Sequence, residues 1–320
     1  MMMMNNQCSE IEDLAKKDTQ IMYERIKAVT NRKRLHTGNS IKKKNGTVAM
    51  EENEVMDRWK EHVEELFEDV RDEQMQLDVR MEGPPILKEE IERAMQKMKA
   101  GKSTGGDKVN IEMLNAVKTF SIEKITKLAN TIYEDGNLTE EMCKSIFITI
   151  PKKPGTLECN KHRTISIMSQ ITKIILRVIM ERVRAKIRGE VAEEQYGFVE
   201  GKGTRNAIFI LRMLSERAIE VQKDLYFCFI DYEKAFDRVK HENLIKMLKN
   251  INIDGKDLRI IKNLYWSQKA AVRVGDGQSD WIEIMRGVRQ GCVMSPDLFA
   301  LYGELIMRAI REMEGVKIGE

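Results

Sequence analysis

Residues 225–230 of this 320-residue chain read Leu-Tyr-Phe-Cys-Phe-Ile, an unbroken apolar run, and the next residue is Asp231. No other feature restricts the fold as tightly. Six residues without a polar break suit a strand covered on both faces, which requires further layers of structure on either side. A carboxylate at the exit of such a strand is in an expensive place unless a cation or hydrogen-bond donors meet it. Magnesium is a natural partner, because it takes one or two carboxylates together with substrate phosphates. On this segment alone the simpler reading is that Asp231 caps the following helix.

The rest of the chain reads mostly as helix. Hydrophobic residues make up 42% and charged residues 33%, with five prolines, a composition that suits a sizeable core beneath long solvated helix faces. Helices are expected at about 11–29, 47–72, 87–98, 111–134, 170–188, 205–222, 241–250, 257–266 and 296–313. In the second, Met56, Trp59, His62, Val63, Leu66 and Phe67 recur at helical spacing. In the 170–188 helix, Ile171, Ile174, Ile175, Val178, Ile179 and Val183 make one face, and Arg177, Arg182, Arg184, Lys186 and Arg188 are spread over the remainder. Strands are expected at Ser145–Ile150, which Pro151 stops, and in a hairpin of Ala271–Val274 with Trp281–Ile284 around Gly275 to Ser279. Residues 30–45 read as a loose basic segment, and Gly83-Pro84-Pro85 marks a boundary.

Several function classes are excluded. The five cysteines contain no Cys-x-x-Cys pair, so neither a zinc cluster nor a disulfide framework is indicated, and a reducing compartment fits. No run of 18 apolar residues exists, and Met1–Glu12 lacks the apolar core of a signal peptide, so an intracellular protein without a membrane span is expected, cytoplasmic or nuclear. Gly101-Lys102-Ser103 invites a phosphate-loop reading, but that loop needs a glycine where Gln96 stands and a strand where a helix is expected.

Net charge is only +3, yet it is unevenly placed. Residues 1–50 carry 10 basic against 5 acidic side chains, residues 51–100 carry 8 against 16, and residues 151–205 carry 12 against 6. A local basic excess is what a phosphate-binding surface looks like, and equally what a solvated helix face looks like. Lys152-Lys153 and Lys161-His162-Arg163 flank a turn and could grip a triphosphate, Arg as a fork and Lys as a point charge. Arg286-Gly-Val-Arg-Gln290-Gly291 feeds Ser295-Pro296, a good helix start, and its glycines allow the backbone to approach a flat partner such as a base pair.

Taken in order, Pro151-Lys152-Lys153 after a strand, Arg163-Thr-Ile-Ser166, Gln195-Tyr-Gly-Phe-Val-Glu-Gly-Lys-Gly203-Thr204, Phe229-Ile-Asp-Tyr-Glu-Lys-Ala-Phe-Asp237 and Arg286-Gly-Val-Arg-Gln-Gly-Cys292 before Ser295-Pro296 closely resemble the reverse transcriptase of non-LTR (LINE, jockey-like) retrotransposons. The resemblance runs from about Ile86 to the C-terminus, and residues 50–80 look like the segment that joins endonuclease to polymerase in such proteins. It implies an α+β fold: helix-rich right-hand polymerase fingers and an incomplete palm with a small antiparallel sheet, which would hold the Asp231 strand and the 271–284 hairpin. A helical linker, residues 1–85, would precede the fingers and palm of residues 86–320.

The implied roles follow residue by residue. Asp231 would be the first metal-binding, catalytic aspartate, with the Tyr232 carbonyl as a helper. Phe236 would stack under the incoming sugar and exclude a 2′-hydroxyl. Gln290 and Gly291 would touch the nascent base pair and nucleotide, Lys152 and Arg163 would clamp the triphosphate, and Gly197, Lys202 and Gly203 would lie in the template-contacting fingers. Partners would be an RNA template, a DNA primer and a deoxynucleoside triphosphate, and the cofactor Mg2+, for a two-metal phosphoryl transfer to a primer 3′-hydroxyl. The sequence departs from the family pattern at His162, Thr164, Val199-Glu200 and Val293-Met294. It also lacks the Tyr/Phe-Ala-Asp-Asp motif that supplies the other two aspartates, and no thumb or endonuclease is recognised. The expectation is therefore a reverse transcriptase fragment that does not polymerise alone, the alternative being a non-catalytic RNA- or RNA/DNA-binding remnant. An unpaired palm edge beside Asp231 would favour association.

Overall fold

In the computed structural model, the described residues are 40–311. The helix expected at 11–29 lies outside them. A short hairpin opens the described chain, β1 (Ile41–Lys42) where sequence suggested a loose segment and β2 (Val48–Ala49) where it suggested the start of the 47–72 helix. The helices are α1 (Glu52–Phe67), α2 (Lys88–Gln96), α3 (Ile111–Ala116), α4 (Lys118–Asp135), α5 (Glu140–Cys143), α6 (Gln170–Glu190), α7 (Thr204–Glu220), α8 (His241–Asn250), α9 (Gly255–Trp266) and α10 (Ser295–Arg311). The remaining strands are β3 (Lys144–Pro151), β4 (His162–Ile167), β5 (Lys269–Val274), β6 (Gly277–Gln278) and β7 (Ile282–Glu283).

The sheet runs β4-β3-β5-β6, with β7 also on β5. The expected 271–284 hairpin is present as β5 with β6 and β7. Its other neighbour is a surprise: β5 lies parallel to β3, with Ile146 opposite Ala271 and Ile148 opposite Arg273. On the other side of β3, Ile150 faces Arg163 and Ile148 faces Ile165 in antiparallel register. Directly opposed residues point to the same face of a sheet, so Ile148, Ile150, Arg163, Ile165 and Arg273 share one face. Phe147, Thr164, Ser166 and Val272 share the other.

That second face is covered by α1. Trp59, Val63 and Phe67 pack there with Phe147, Ala270, Val272, Ile282 and Ile284 in a core of their own. Sequence periodicity foresaw the apolar stripe of α1, though not its partner. Arg71 then straps the following segment down, donating to the carbonyls of Trp266 (2.8 Å) and Tyr265 (3.1 Å). The main core joins α2, α4, α6, α8, α9 and α10. Here α6 is central: Ser169 caps it by accepting from the Thr172 amide (3.0 Å), and Ile174, Ile175, Val178, Ile179, Val183 and Ile187 are buried. Its cations are not one solvated face. Arg182 is pinned by Glu90 and the Pro84 and Pro85 carbonyls, and Arg184 by Asp297.

One expectation fails. Residues 225–230 form no strand: the segment is irregular and open, with Tyr226 87% and Phe229 81% exposed. From Asp224 to Tyr232 no backbone N–H donates to a backbone carbonyl among the described residues. An apolar run becomes a strand only where a ladder accepts its backbone groups, and the sheet order leaves no place for it. The preceding α7 buries none of its residues either, leaving Ile208 and Phe209 exposed. In place of an antiparallel sheet around Asp231 the chain forms a mixed sheet of β3, β4 and the β5 hairpin.

Candidate nucleic-acid interface

The uncovered face of the sheet forms one wall of a cleft of about 1370 Å³. Ile148, Ile150, Ile165 and Arg273 line that wall, α6 contributes Lys173 and Arg177, and the loop after α2 contributes Lys97, Lys99 and Lys102. Phe236, Gly291 and the start of α10 close one end. Six cations line this space and no carboxylate does. Burial depresses the pKa of both Lys173 and Arg177, and Arg177 Nε is buried with no hydrogen-bond partner. Lys97 pairs with Glu181 at 2.7 Å, but the lining as a whole is cationic, and such a surface creates a positive potential that a polyanion would relieve. The Gly101-Lys102-Ser103 loop that failed as a nucleotide loop is part of this wall, tied to the start of α6 by Gln170, whose Nε2 donates to the Ser103 carbonyl (3.1 Å).

The two motifs read around Phe236 and Gln290 meet at the closed end. Phe236 starts a 3-10 turn, Phe236–Arg238, and its carbonyl accepts from the Val288 amide (2.8 Å), while the Gly287 amide donates to Val239 (2.7 Å). The Phe236 ring sits between Phe299 of α10 (centroids 4.8 Å apart) and Phe198 of the 193–203 loop (5.5 Å). Asp237 is buried, and its Oδ1 accepts from Gln290 Nε2 at 3.4 Å. Burial pushes the Asp237 pKa up to about 6, against the pull of the nearby Lys234 and Lys152 charges.

Gln290 is also fixed through its backbone, its carbonyl accepting from the Ser166 amide of β4 (2.8 Å). Gly291 follows with φ +107, and a Cβ there would stand 3.0 Å from the Ser166 carbonyl, so both conformation and space call for glycine. Beneath this loop Arg289 is fully buried with no carboxylate: its guanidinium donates to the Cys143 carbonyl (2.6 Å) at the end of α5 and to Met168 Sδ (3.1 Å). Ser295 donates to the Arg289 carbonyl (2.7 Å), which ties the helix start to the loop.

The sequence-derived site residues therefore separate into groups. Phe236 and Gly291 line the cleft, while Gln290, next in sequence to Gly291, lines a small buried space with Asp237, Thr164 and Phe147. Arg163 is exposed on the cleft face of the sheet, opposite Ile150, and Lys152 lies just past the end of β3, its charge bearing on Asp237. Gly197, Lys202 and Gly203 lie on the loop that carries Phe198 to Phe236; Lys202 donates to the Glu193 carbonyl and sits over the Tyr196 ring. Asp231 and Tyr232 are not brought in. Both side chains are exposed, and Asp231 makes no hydrogen bond or ion pair among the described residues. The expectation that Asp231 leaves a buried strand beside Gln290 and Arg163 is corrected accordingly.

Nor do three His, Cys, Asp or Glu side chains gather anywhere among the described residues in a way that could hold a metal ion. The residues in place do not fit the paired magnesium that the resemblance implies. No described helix is long and apolar enough to cross a membrane.

Sequence reasoning missed Asp237, Phe198, Phe299 and the cleft cations outside residues 151–205. A signal existed for the latter: residues 93–106 hold four cations and no acid, directly after the most acidic stretch of the chain.

Comparison with known proteins agrees with this architecture. The uncharacterized 149 kDa protein of transposon TX1 from Xenopus laevis is 26% identical over 71% of this chain and 17% of its own length. The Pol polyprotein of the type-1 retrotransposable element R2 from Nasonia vitripennis is 28% identical over 77% of this chain and 23% of its own length. The RNA-directed DNA polymerase of the mobile element jockey from Drosophila funebris is 24% identical over 68% and 24%. The chain spans less than a quarter of the length of each. Residues 150–319, which contain β4, the β5 hairpin, the Phe236 turn and the Gln290 loop, match the model of the reverse transcriptase (RNA-dependent DNA polymerase) family, and the chain belongs to that family, with relatives among the non-LTR retrotransposons.

Proposed function

We propose that these residues are the template- and nucleotide-gripping part of a reverse transcriptase, and that on their own they hold nucleic acid without extending a primer. The observation that carries this reading is the cleft: six cations, no carboxylate, and an end wall of Phe236 and Gly291. In it the phosphates of an RNA template meet Lys97, Lys99, Lys102, Lys173, Arg177 and Arg273, while Gly197, Lys202 and Gly203 guide the strand from the fingers loop. Phosphate contacts of this kind position a strand without reading its sequence.

Arg163 and Lys152 clamp the triphosphate of an incoming nucleotide. Phe236 lies under its sugar, with Phe198 and Phe299 fixing the ring, and Gln290 and Gly291 face the nascent base pair. Residues 86–320 make the fingers and palm, and residues 1–85 an extension whose α1 backs the sheet. Asp231 is the carboxylate that a catalytic metal would meet, with Tyr232 beside it, and one carboxylate does not fix two ions.

The test is extension of a DNA primer on an RNA template with magnesium or manganese, alongside binding of the same labelled hybrid. Binding without extension is expected. Asp231-dependent incorporation would overturn the second half of the reading, and failure to bind the hybrid would overturn the first.

A further inference from the structure

Asp237 has no part in the proposed function, yet it is one of the few buried carboxylates among the described residues, and it borders the Gln290 loop. It lies in the turn after Phe236, 7% exposed. Backbone pairing holds it there: Gly287 and Val288 donate to Val239 and Phe236 on either side, and Gly287 packs so closely that a Cβ would stand 2.9 Å from the Asp237 carbonyl. Its side chain receives one hydrogen bond among the described residues, from Gln290 Nε2.

An ionised carboxylate only accepts, whereas an amide donates at one end and accepts at the other. Asp237 therefore decides which end of Gln290 turns inward. The NH2 group is held by Oδ1, and Oε1 is the end left without a hydrogen bond among the described residues. The two ends of an amide have the same shape, and the hydrogen-bond partner decides between them.

We propose that Asp237 is a positioning residue that sets the orientation of the Gln290 amide, so that the nascent base pair and nucleotide meet a hydrogen-bond acceptor there rather than a donor. This rests on the reading of Gln290 as a nucleotide-facing residue. Protonated Asp237 becomes a donor and can hold Oε1 instead, turning the NH2 outward. The groups that bear on its charge are Lys234 of its own segment, Lys152 after β3 and Gln290, and His62 of α1 reaches the same cluster through Lys234 Nζ (3.3 Å). With the Asp237 pKa at about 6, the reversal falls in an accessible range.

The experiment follows the Gln290 side-chain NH2 by 1H–15N NMR on the full chain, the signal being assigned by its loss in Gln290→Ala. In the unmodified chain the pair of signals should move with pH around 6, and in Asp237→Asn they should stay fixed. Signals that superimpose in the two proteins at every pH, or a wild-type pair that does not move with pH around 6, would overturn the proposal.

A second arm measures binding of the complementary deoxynucleotide to the chain on an RNA/DNA hybrid. Asp237→Asn should weaken it about tenfold and leave hybrid affinity unchanged; loss of hybrid affinity in equal measure would mean a purely structural role. A wild-type chain that does not hold the hybrid refutes the proposed function, while the amide signal still decides the pairing.

Discussion

Removal of the cleft cations has a worked magnitude. Each phosphate neutralised on a single strand contributes about −0.7 to the slope of log affinity against log salt. If all six cations engage, the slope is about −4, so a rise from about 50 to 200 mM salt weakens binding by a few hundredfold. Replacing Lys97, Lys99 and Lys102 together by alanine removes half of them and should bring the slope to about −2.

The structure supplies its own control. Lys43, Lys44 and Lys60 are just as basic but lie by α1, behind the sheet, and are paired with Glu54, with Glu61 and Glu65, and with Asp280. Their triple replacement should leave the slope alone, because they lie away from the cleft and neutralise no phosphate of a strand bound there. Fluorescence anisotropy of an end-labelled RNA across a salt series reads both triples. A wild-type slope shallower than about −1, or a control triple that flattens it as much as the cleft triple, would refute the reasoning.

Asp257 in α9 is 4% exposed, and burial raises its pKa to about 6. Its ionisation therefore opposes folding: the contribution is favourable below about pH 4 and is lost as pH rises through 6. Asp257→Asn should remove about 3 kcal/mol of pH dependence between those limits in chemical denaturation. Trp59→Ala, which empties the middle of the α1–sheet core, should cost about 3–5 kcal/mol by the same method. Phe227→Ser with Phe229→Ser should lower self-association in light scattering without lowering the melting temperature, since both rings are exposed and their backbone is unpaired.

How much of this could be read in the sequence depends on where the determining partner lies. Where a residue's fate is settled by its neighbours, the reading holds: the α6 face from Ile174 to Val183, the α1 stripe around Trp59, the β5 hairpin around Gly275. Where it is settled far along the chain, it does not. The run from Leu225 to Ile230 has every local property of a buried strand and lacks only an accepting ladder. Arg177 and Arg182 are five positions apart on one helix, and no periodicity tells that the first looks into the cleft while the second meets Glu90. The Phe236, Gln290 and Gly291 grouping was legible because motif order carried it, whereas Asp237 stood within a quoted motif and gave no sign of burial. The parallel alignment of β3 with β5 left no local trace at all.

That alignment has a consequence during synthesis. Lys144–Ile148 cannot complete the sheet until Lys269–Arg273 has emerged, a wait of roughly 6–25 seconds at ribosomal speeds of about 5–20 residues per second. For that interval α1 has no finished surface to dock on, and Trp59, Phe67 and Phe147 remain uncovered. The nascent polypeptide thus passes through a long window as a client for chaperones, and a ribosome stalled before Val274 would release a product destined for degradation or for aggregates rather than a shorter working protein.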